Sequence, residues 1–289
     1  LFKRTDIIIG TSPQFFTCFS AYMLSIFKRK PWVFELRDLW PESIYATGAM
    51  KRSLLLRFIE WLEVKMYRNA SLVVSVTNSF KKKLIEKGIK SNRVQVVTNG
   101  SNQEKFSNQQ PDFRLKEELG LKDKFVISYI GTHGLAHALD FIVKSIAELE
   151  NKNIKFLFIG DGAMKKDVVA VAERLGLSNV KFLESVPKDE VARYMSITDV
   201  ALVPLKRSST FKTVIPSKIF EAAAMEKPVL LGVEGEAKEI INKYNTGLCF
   251  VPEDKDDFLA KVNEIVENKS LYKEFVKNSK KLAKDNAEK

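Results

Sequence analysis

Short apolar runs alternate with helical patterns along the whole chain. The runs are rich in β-branched and aromatic residues and lack polar alternation, as is typical of parallel strands covered on both faces. They predict strands over residues 6–9, 32–36, 72–76, 94–97, 125–130, 156–159, 180–183, 200–203, 228–231 and 248–251. The amphipathic patterns between them predict helices over residues 54–67, 79–87, 139–149, 165–175, 189–196 and 258–267.

The strict alternation of strand and helix predicts an α/β fold with doubly wound sheets. A chain of 289 residues is long enough for two such domains. The polar segment 101–112 has no apolar period beyond Phe106, so it predicts a boundary between domains over residues 1–110 and 111–289. The first domain has four predicted strands where about six are usual. We therefore expect its N-terminal part, and the end of the C-terminal helix, to lie outside this sequence.

The formal net charge is +11, and residues 1–110 alone hold 18 Lys and Arg against 8 Asp and Glu. A basic half indicates an anionic partner such as nucleic acid, a phospholipid surface or a phosphorylated substrate, unless the surface is merely basic. Two cysteines and two histidines exclude a disulfide framework and a His-rich metal site. We expect reduced thiols in a cytoplasmic protein, and no segment is long enough to cross a membrane.

A glycine-flanked turn opens the second domain between a strand and a helix. Gly131, Thr132, His133 and Gly134 follow the strand directly, and the backbone of such a turn can approach a ligand closely. The N–H groups of the following helix would face the same place, which makes it a candidate anion site. His133 would be either a ligand there or a helix-entry residue with no catalytic task.

A second motif follows the strand at 200–203. Pro216 suits the first turn of a helix, and Ser217, Lys218 and Glu221 come next. Lys218 and Glu221 are three residues apart and project from one face, where a carboxylate can accept ribose hydroxyls and an ammonium can bind a diphosphate. The alternative is an ordinary ion pair on an exposed helix, although the apolar neighbours of the pair favour a largely buried helix.

Two features of the first domain are candidates for the acceptor side. Arg37 and Asp38 follow the strand at 32–36, where polar residues belong in a ligand crevice, although the two could equally pair with each other. The segment 54–68, LLLRFIEWLEVKMYR, has the basic and aromatic residues of an interfacial helix. An ordinary helix with its apolar face in the core is the alternative.

Six segments carry a family resemblance when they are taken in order along the chain: FELRDLWPES (34–43), VTNG (97–100), YIGTHGLAHALDF (129–141), FIGDG (158–162), ITDVALVPLK (197–206) and PSKIFEAAAMEKPVLL (216–231). Together they resemble retaining glycosyltransferases of family 4, which have the GT-B fold. Within that family they are most similar to the WbuB-like enzymes of surface-polysaccharide assembly.

The resemblance implies two Rossmann-like domains that face each other across a cleft, with the N-terminal domain incomplete here. The N-terminal domain would bind the acceptor and the C-terminal domain the nucleotide sugar, which is a substrate, so that no cofactor or metal is needed. By this resemblance Glu221 matches the carboxylate that holds the donor ribose. Lys218, Pro216 and Ser217 would lie near the diphosphate, and Gly131 to Gly134 would face the phosphates.

The chain departs from the family pattern at three places. A glutamate that usually contacts the transferred sugar would stand at position 213, where this chain has Thr213. The family often has Arg and Lys near the phosphate turn, and here His133, Lys206 or Arg207 would supply that charge. A glycine-rich loop of the family would precede Leu1, so we expect this chain alone to be inactive.

The sequence thus predicts a hexosyl- or N-acetylhexosaminyltransferase with Lys218, His133 and Asp38 as catalytic candidates. A UDP-sugar would be the donor, and a polyprenyl-diphosphate-linked saccharide of O-antigen or capsule assembly would be the acceptor. The protein would be cytoplasmic and peripheral at the inner face of the plasma membrane. A non-hydrolysing sugar-nucleotide epimerase of GT-B architecture is the alternative. A basic nucleic-acid-binding protein is a weaker one, because aromatic residues do not alternate with the basic ones, and we expect no nucleic-acid partner.

Overall fold

The computed structural model describes residues 4–50 and 53–287. The chain divides into two compact units. The first ends at Thr98 and also takes in Ser208–Ile215, and the second comprises Asn99–Arg207 and the chain from Pro216 onward. In neither of the two described ranges is there a helix with the length and apolarity that a membrane crossing requires.

The first unit is a parallel sheet with the strand order β1-β2-β3-β4. The strands are β1 (Ile8–Thr11), β2 (Trp32–Leu36), β3 (Leu72–Ser75) and β4 (Val94–Val96). The helices of this unit are α1 (Phe15–Lys28), α2 (Glu42–Thr47), α3 (Leu54–Asn69) and α4 (Asn78–Glu86). The core combines aliphatic and aromatic side chains, and Phe34 packs edge-on against Tyr67 with ring centroids 4.7 Å apart.

The second unit is a six-stranded parallel sheet with the order β10-β9-β8-β5-β6-β7. Its strands are β5 (Phe125–Ile130), β6 (Ile154–Ile159), β7 (Val180–Leu183), β8 (Val200–Pro204), β9 (Val229–Gly232) and β10 (Gly247–Cys249). Its helices are α5 (Phe113–Glu118), α6 (Leu139–Ile146), α7 (Lys165–Arg174), α8 (Val191–Ser196), α9 (Lys218–Ala224), α10 (Glu236–Tyr244), α11 (Lys255–Glu267) and α12 (Lys269–Asp285). This is the Rossmann order, and the direction of winding reverses between β5 and β8.

Polar side chains tie the two strands at this reversal. Asp199 accepts a hydrogen bond from the backbone N–H of Val126 at 2.7 Å, and the Thr198 hydroxyl donates to Ser128 at 2.8 Å. Burial raises the pKa of Asp199, whereas the Val126 N–H and Lys116 lower it in part. The motif at 197–206 therefore fixes β8 against β5, which positions the loops that follow both strands.

The ten predicted strands are all present, and the α/β class with parallel sheets is confirmed. The second sheet is doubly wound, whereas the four strands of the first sheet follow one another in chain order. The ends of the predicted strands move by no more than two residues, as where β1 begins at Ile8 rather than at residue 6. The predicted helix at 139–149 ends earlier, at Ile146. The apolar segment from Phe15 onward, which the sequence pattern left without an element, forms α1.

The two compact units meet between Thr98 and Asn99, whereas the sequence pattern places the domain boundary at residue 110. Ser101 forms a parallel bridge with Ala287, and the Gln103 side chain donates to the Ala283 carbonyl at 3.2 Å. These contacts join residues that are far apart in sequence and attach the polar segment to the second unit. Ser208–Ile215 belongs instead to the first unit, where the Thr77 hydroxyl donates a hydrogen bond to the Thr213 carbonyl at 3.0 Å.

Candidate functional site

The candidate donor-side residues of the second unit gather at the reversal of strand order. Gly131 follows the last residue of β5, and Lys206 comes two residues after the end of β8. The backbone N–H of Lys206 donates to the Ala136 carbonyl at 2.8 Å, which brings the two loops together. Open α/β sheets bind ligands at this position, outside the carboxyl ends of the strands.

The glycine turn is held by a second glycine segment after β6. Gly131 has a φ of 149°, which a residue with a Cβ rarely adopts. A Cβ on Gly160 would overlap the Gly131 carbonyl, and a Cβ on Gly162 would come within 2.6 Å of the His133 carbonyl oxygen. The Tyr129 hydroxyl donates to the Thr132 carbonyl at 2.6 Å. The FIGDG segment therefore acts by letting the two backbones approach.

Lys218 points from the start of α9 to this turn. Its Nζ lies 5.6 Å from the centroid of the Tyr129 ring, and a Cβ built on Gly131 would overlap the ammonium. Burial lowers the pKa of Lys218, and the nearby Glu221 carboxylate partly opposes that shift. A partly buried ammonium next to a glycine backbone is a suitable binding group for a phosphate oxygen.

Glu221 lies one turn further along α9 and is partly buried. Its Oε1 is 3.5 Å from the Ser217 hydroxyl, while Lys218 has Tyr129 as its neighbour. Together with Ser128 and other residues, Lys218 and Glu221 line a hollow of only about 20 Å³. Lys218 and Glu221 therefore each contact a different neighbour and do not form only an ion pair with each other. The hollow that they line is too small for a nucleotide, so a nucleotide would have to lie over it.

His133 is the least suited of the three residues, with Lys206 and Arg207, that could supply the charge near the phosphate turn. The residue is 0% exposed, and its ring packs against Phe158 and Phe182 with centroids 6.5 Å away in each case. Burial, followed by the positive charge of Lys165, lowers the pKa of His133 to about 4. A protonated imidazole does not fit these surroundings, so His133 is a neutral core residue of the turn at physiological pH.

Two neighbours of Lys218 were not singled out as ligands by sequence reasoning. The His137 ring lies 5.8 Å from that of Tyr129, and burial together with Lys218 lowers the pKa of His137 to about 4. Tyr129 is at the end of β5, two residues before the turn, and its position in that strand is the signal that could have identified it.

Arg207, which follows Lys206 in the loop after β8, is exposed, and its backbone N–H donates a hydrogen bond to the Glu253 carboxylate at 2.8 Å.

Arg37 and Asp38 lie in the first unit after β2. Arg37 pairs with Glu35, with Nη1 and Oε1 3.7 Å apart. Burial raises the pKa of Asp38, whereas hydrogen bonds from Ser43 and from the Leu39 backbone lower it in part. A carboxyl with a raised pKa at the carboxyl end of a parallel strand is a candidate proton acceptor.

Thr213 ends a short 3₁₀ helix in the segment that packs with the first unit. Its hydroxyl donates to the Thr210 carbonyl at 2.6 Å, and its own carbonyl accepts the hydrogen bond from Thr77. The side chain is thus engaged in its own turn and does not replace the carboxylate that the resemblance implies at this position.

Family comparisons cover both units. The family model described as "Glycosyl transferases group 1" matches residues 111–282, and the model described as "Glycosyl transferase 4-like domain" matches residues 3–100. Residues 101–110, which lie between the two matched regions, belong to the polar segment 101–112. The match over 111–282 contains the turn at Gly131 and the helix that bears Lys218 and Glu221.

Two curated relatives are bacterial proteins named as glycosyltransferases. TuaH of Bacillus subtilis strain 168, named as a teichuronic acid biosynthesis glycosyltransferase, is 29% identical over 202 residues, which cover 68% of this chain and 49% of TuaH. WbjE of Pseudomonas aeruginosa, named as a glycosyltransferase, is 25% identical over 92% of this chain and 67% of WbjE. The chain therefore spans about half to two thirds of the length of these relatives.

The fold also matches a solved structure. HepE of Anabaena, crystallised with UDP and glucose, superposes with a TM-score of 0.82 at 18% identity, over 97% of this chain and 74% of HepE. At that identity the likeness concerns the fold alone. The chain belongs to the group 1 glycosyl transferases and is a family 4 protein with the GT-B fold.

Proposed function

We propose that the protein is a retaining glycosyltransferase that transfers a hexosyl or N-acetylhexosaminyl group from a UDP-sugar to a lipid-linked saccharide. The acceptor would belong to the assembly of a surface polysaccharide such as O-antigen or capsule. The name of TuaH and the UDP and glucose bound to HepE support this choice of pathway and donor. The observation that carries the proposal is the Lys218 ammonium against Gly131 at the reversal of strand order.

The donor diphosphate would lie over Gly131 and Lys218. Negative charge grows on the diphosphate as the glycosidic bond breaks, and a partly buried ammonium stabilises that charge more strongly than one in water. Because Lys218 supplies the cation, the proposed reaction needs no metal ion. Glu221 would accept hydrogen bonds from the ribose hydroxyls. These hydrogen bonds would stabilise the bound donor and the transition state equally, so they would affect donor binding and not the rate of the bound complex.

The acceptor would bind to the first unit, where Asp38 is our candidate for taking the proton of the attacking hydroxyl. The basic character of residues 1–110 supports a phosphorylated, lipid-linked acceptor at the inner face of the plasma membrane. Pelleting with anionic vesicles at low salt tests that location. If the full-length protein stayed in the supernatant, the peripheral placement would be wrong.

A transfer assay tests the proposed reaction. The full-length enzyme is incubated with a panel of nucleotide sugars and a lipid-linked acceptor extract, with and without a chelator, and products are analysed by mass spectrometry and NMR. We expect transfer from a UDP-sugar, survival of activity in the chelator and an unchanged anomeric configuration. Transfer with inversion, loss of activity in the chelator, or no transfer from any UDP-sugar would each contradict the corresponding part of the proposal.

A further inference from the structure

Helix α3 has two apolar faces, and only one of them enters the core. Leu56, Glu63 and Tyr67 are buried. At about 100° per residue, Leu54 and Phe58 fall on the side of the helix roughly opposite to these three. Leu54 is 82% exposed and Phe58 is 55% exposed. One face of the helix therefore packs in the core, and the opposite face is apolar and exposed.

The exposed face forms a stripe made of Leu54, Leu55, Phe58 and Trp61. Phe58 and Trp61 stack with ring centroids 5.8 Å apart, and the Lys65 ammonium lies 5.3 Å from the Trp61 ring. Side chains of this size and exposure, next to one another on one helix face, form a contiguous apolar patch of the kind that marks an interaction surface.

A cavity of about 720 Å³ opens beside this stripe within the first unit, and Trp61 lines both. A second hollow of about 440 Å³ is lined by Leu54 of the stripe and by Arg57 and Glu60, which also line the cavity. The cavity has the size of a small-molecule site and lies in a different unit from Lys218 and Glu221.

Four cations line the cavity against two carboxylates. The cations are Arg57, Arg68, Lys83 and Lys87, and the carboxylates are Glu42 and Glu60. The two lysines share Glu42, at 3.1 and 2.6 Å, so one carboxylate offsets only one of their two charges. The wall of the cavity is therefore net positive, and the loop Ser208 to Thr210 adds hydroxyl donors. Such a lining favours a multiply charged anion.

We propose that this cavity binds the phosphate or diphosphate group of the lipid that carries the acceptor saccharide, with the apolar chain of that lipid along the exposed stripe. The inference rests on the proposed transfer to a lipid-linked acceptor. The basic cavity and the apolar stripe meet at Trp61, and this is the pairing of chemistries that a phosphate-bearing lipid has and that a free sugar phosphate or a nucleotide lacks. Bulk anionic phospholipid carries the same chemistry, and the experiment separates the two sources.

Binding of farnesyl diphosphate to the full-length enzyme tests the site, with farnesol and inorganic diphosphate as comparison probes. We expect farnesyl diphosphate to bind more tightly than either probe. The variant Arg57→Gln should weaken it by about tenfold, since one charge-assisted contact is lost. Phe58→Ser should reduce the preference for farnesyl diphosphate over inorganic diphosphate. Lys90→Gln, an exposed basic residue outside the cavity lining, is the matched control and should change affinity less than twofold.

Equal binding by Arg57→Gln and the parent enzyme would overturn the proposal. So would an equal loss of binding to phosphatidylglycerol vesicles in Arg57→Gln, since the site would then serve the membrane in general. Protection by UDP-sugar in a thermal melt is measured alongside. If the lipid site fails while UDP-sugar still protects, only this inference is wrong, whereas absence of UDP-sugar protection contradicts the proposed function.

Discussion

The ammonium of Lys218 occupies the space that a side chain at Gly131 would need. This relationship links the glycine turn after β5 to helix α9, although 86 intervening residues separate the two in the sequence. Position 131 therefore requires glycine for two reasons: its φ is 149°, and a Cβ there would overlap the Lys218 ammonium. Under the proposed function, the turn and the helix would together form the phosphate site.

Substituting Gly131 by Ala should impair donor binding through Lys218. The new Cβ displaces the ammonium and strains the turn, and we expect the donor Kd to rise on the order of tenfold. Calorimetric titration with UDP measures it. Gly120→Ala is the matched control, because Gly120 also has a positive φ, 69°, but a Cβ there meets nothing within 4 Å. A similar rise in Kd for both variants would show that strain alone is responsible.

The variants Glu221→Ala and Lys218→Ala should differ in their kinetics. Loss of the ribose contact should raise the donor KM by roughly 10- to 100-fold with little change in kcat. Loss of the ammonium should also lower kcat, by about a hundredfold, because its charge matters most when the diphosphate leaves. Lys238→Ala, an exposed residue of α10, should behave as the parent enzyme. A purely KM effect in Lys218→Ala would contradict its catalytic role.

Donor binding should weaken at alkaline pH because burial lowers the pKa of Lys218. The ammonium is present below that lowered pKa and is lost as pH rises through it, which happens at a lower pH than for an ordinary lysine. Lys218→Arg keeps its charge across this range, so its affinity for UDP should fall at a higher pH than that of the parent. Titrations between pH 7 and 10 compare the two, and ionisation of the uracil affects both equally. Coincident curves would exclude Lys218 as the titrating group.

Glu63 should make the first unit less stable as pH rises. It is 3% exposed, and burial raises its pKa from 4.5 to about 8, although the Tyr67 hydroxyl beside it lowers the pKa in part. Between these values the folded chain binds a proton that the unfolded chain has lost, so the free energy of unfolding decreases from pH 4.5 to 8. Above pH 8 the loss is complete.

The variant Glu63→Gln should remove that decrease. We expect it to match the parent protein below pH 4.5 and to exceed its stability at pH 8 and above. Denaturant unfolding of the full-length protein across this range measures the difference. Glu86→Gln, an exposed carboxylate of α4, is the control and should follow the parent curve. If Glu63→Gln showed the same pH slope as the parent, the carboxyl would not be protonated in the folded state.

The sheets could be predicted from sequence because buried parallel strands are local apolar runs. β2, β5 and β7 have the predicted ends, and the remaining strands differ by no more than two residues. The α1 segment was harder, since its 14 residues are apolar enough to obscure the amphipathic period. The attachment of the polar segment to the second unit could not be predicted, because the bridge between Ser101 and Ala287 joins residues that no local pattern relates.

The candidate site was predictable only in part, for a similar reason. Lys218 and Glu221 could be named because they interrupt an apolar helix after a strand end. The sequence left His133 as either a ligand or a helix-entry residue, because the turn motif does not show that its side chain packs against aromatic residues of β6 and β7. The helical pattern of α3 predicted an amphipathic helix, but only the fold shows which face is left exposed and that a basic cavity lies beside it.

Hydrogen–deuterium exchange of the full-length protein with and without UDP tests the central claim most directly. The account predicts slower exchange on UDP binding in peptides that cover residues 129–137 and 216–224, and no change in peptides over 176–183. Protection should be lost at both segments in Lys218→Ala. Undiminished exchange at 129–137 and 216–224 in the presence of saturating UDP, or protection confined to other segments, would contradict the placement of the donor at Gly131 and Lys218.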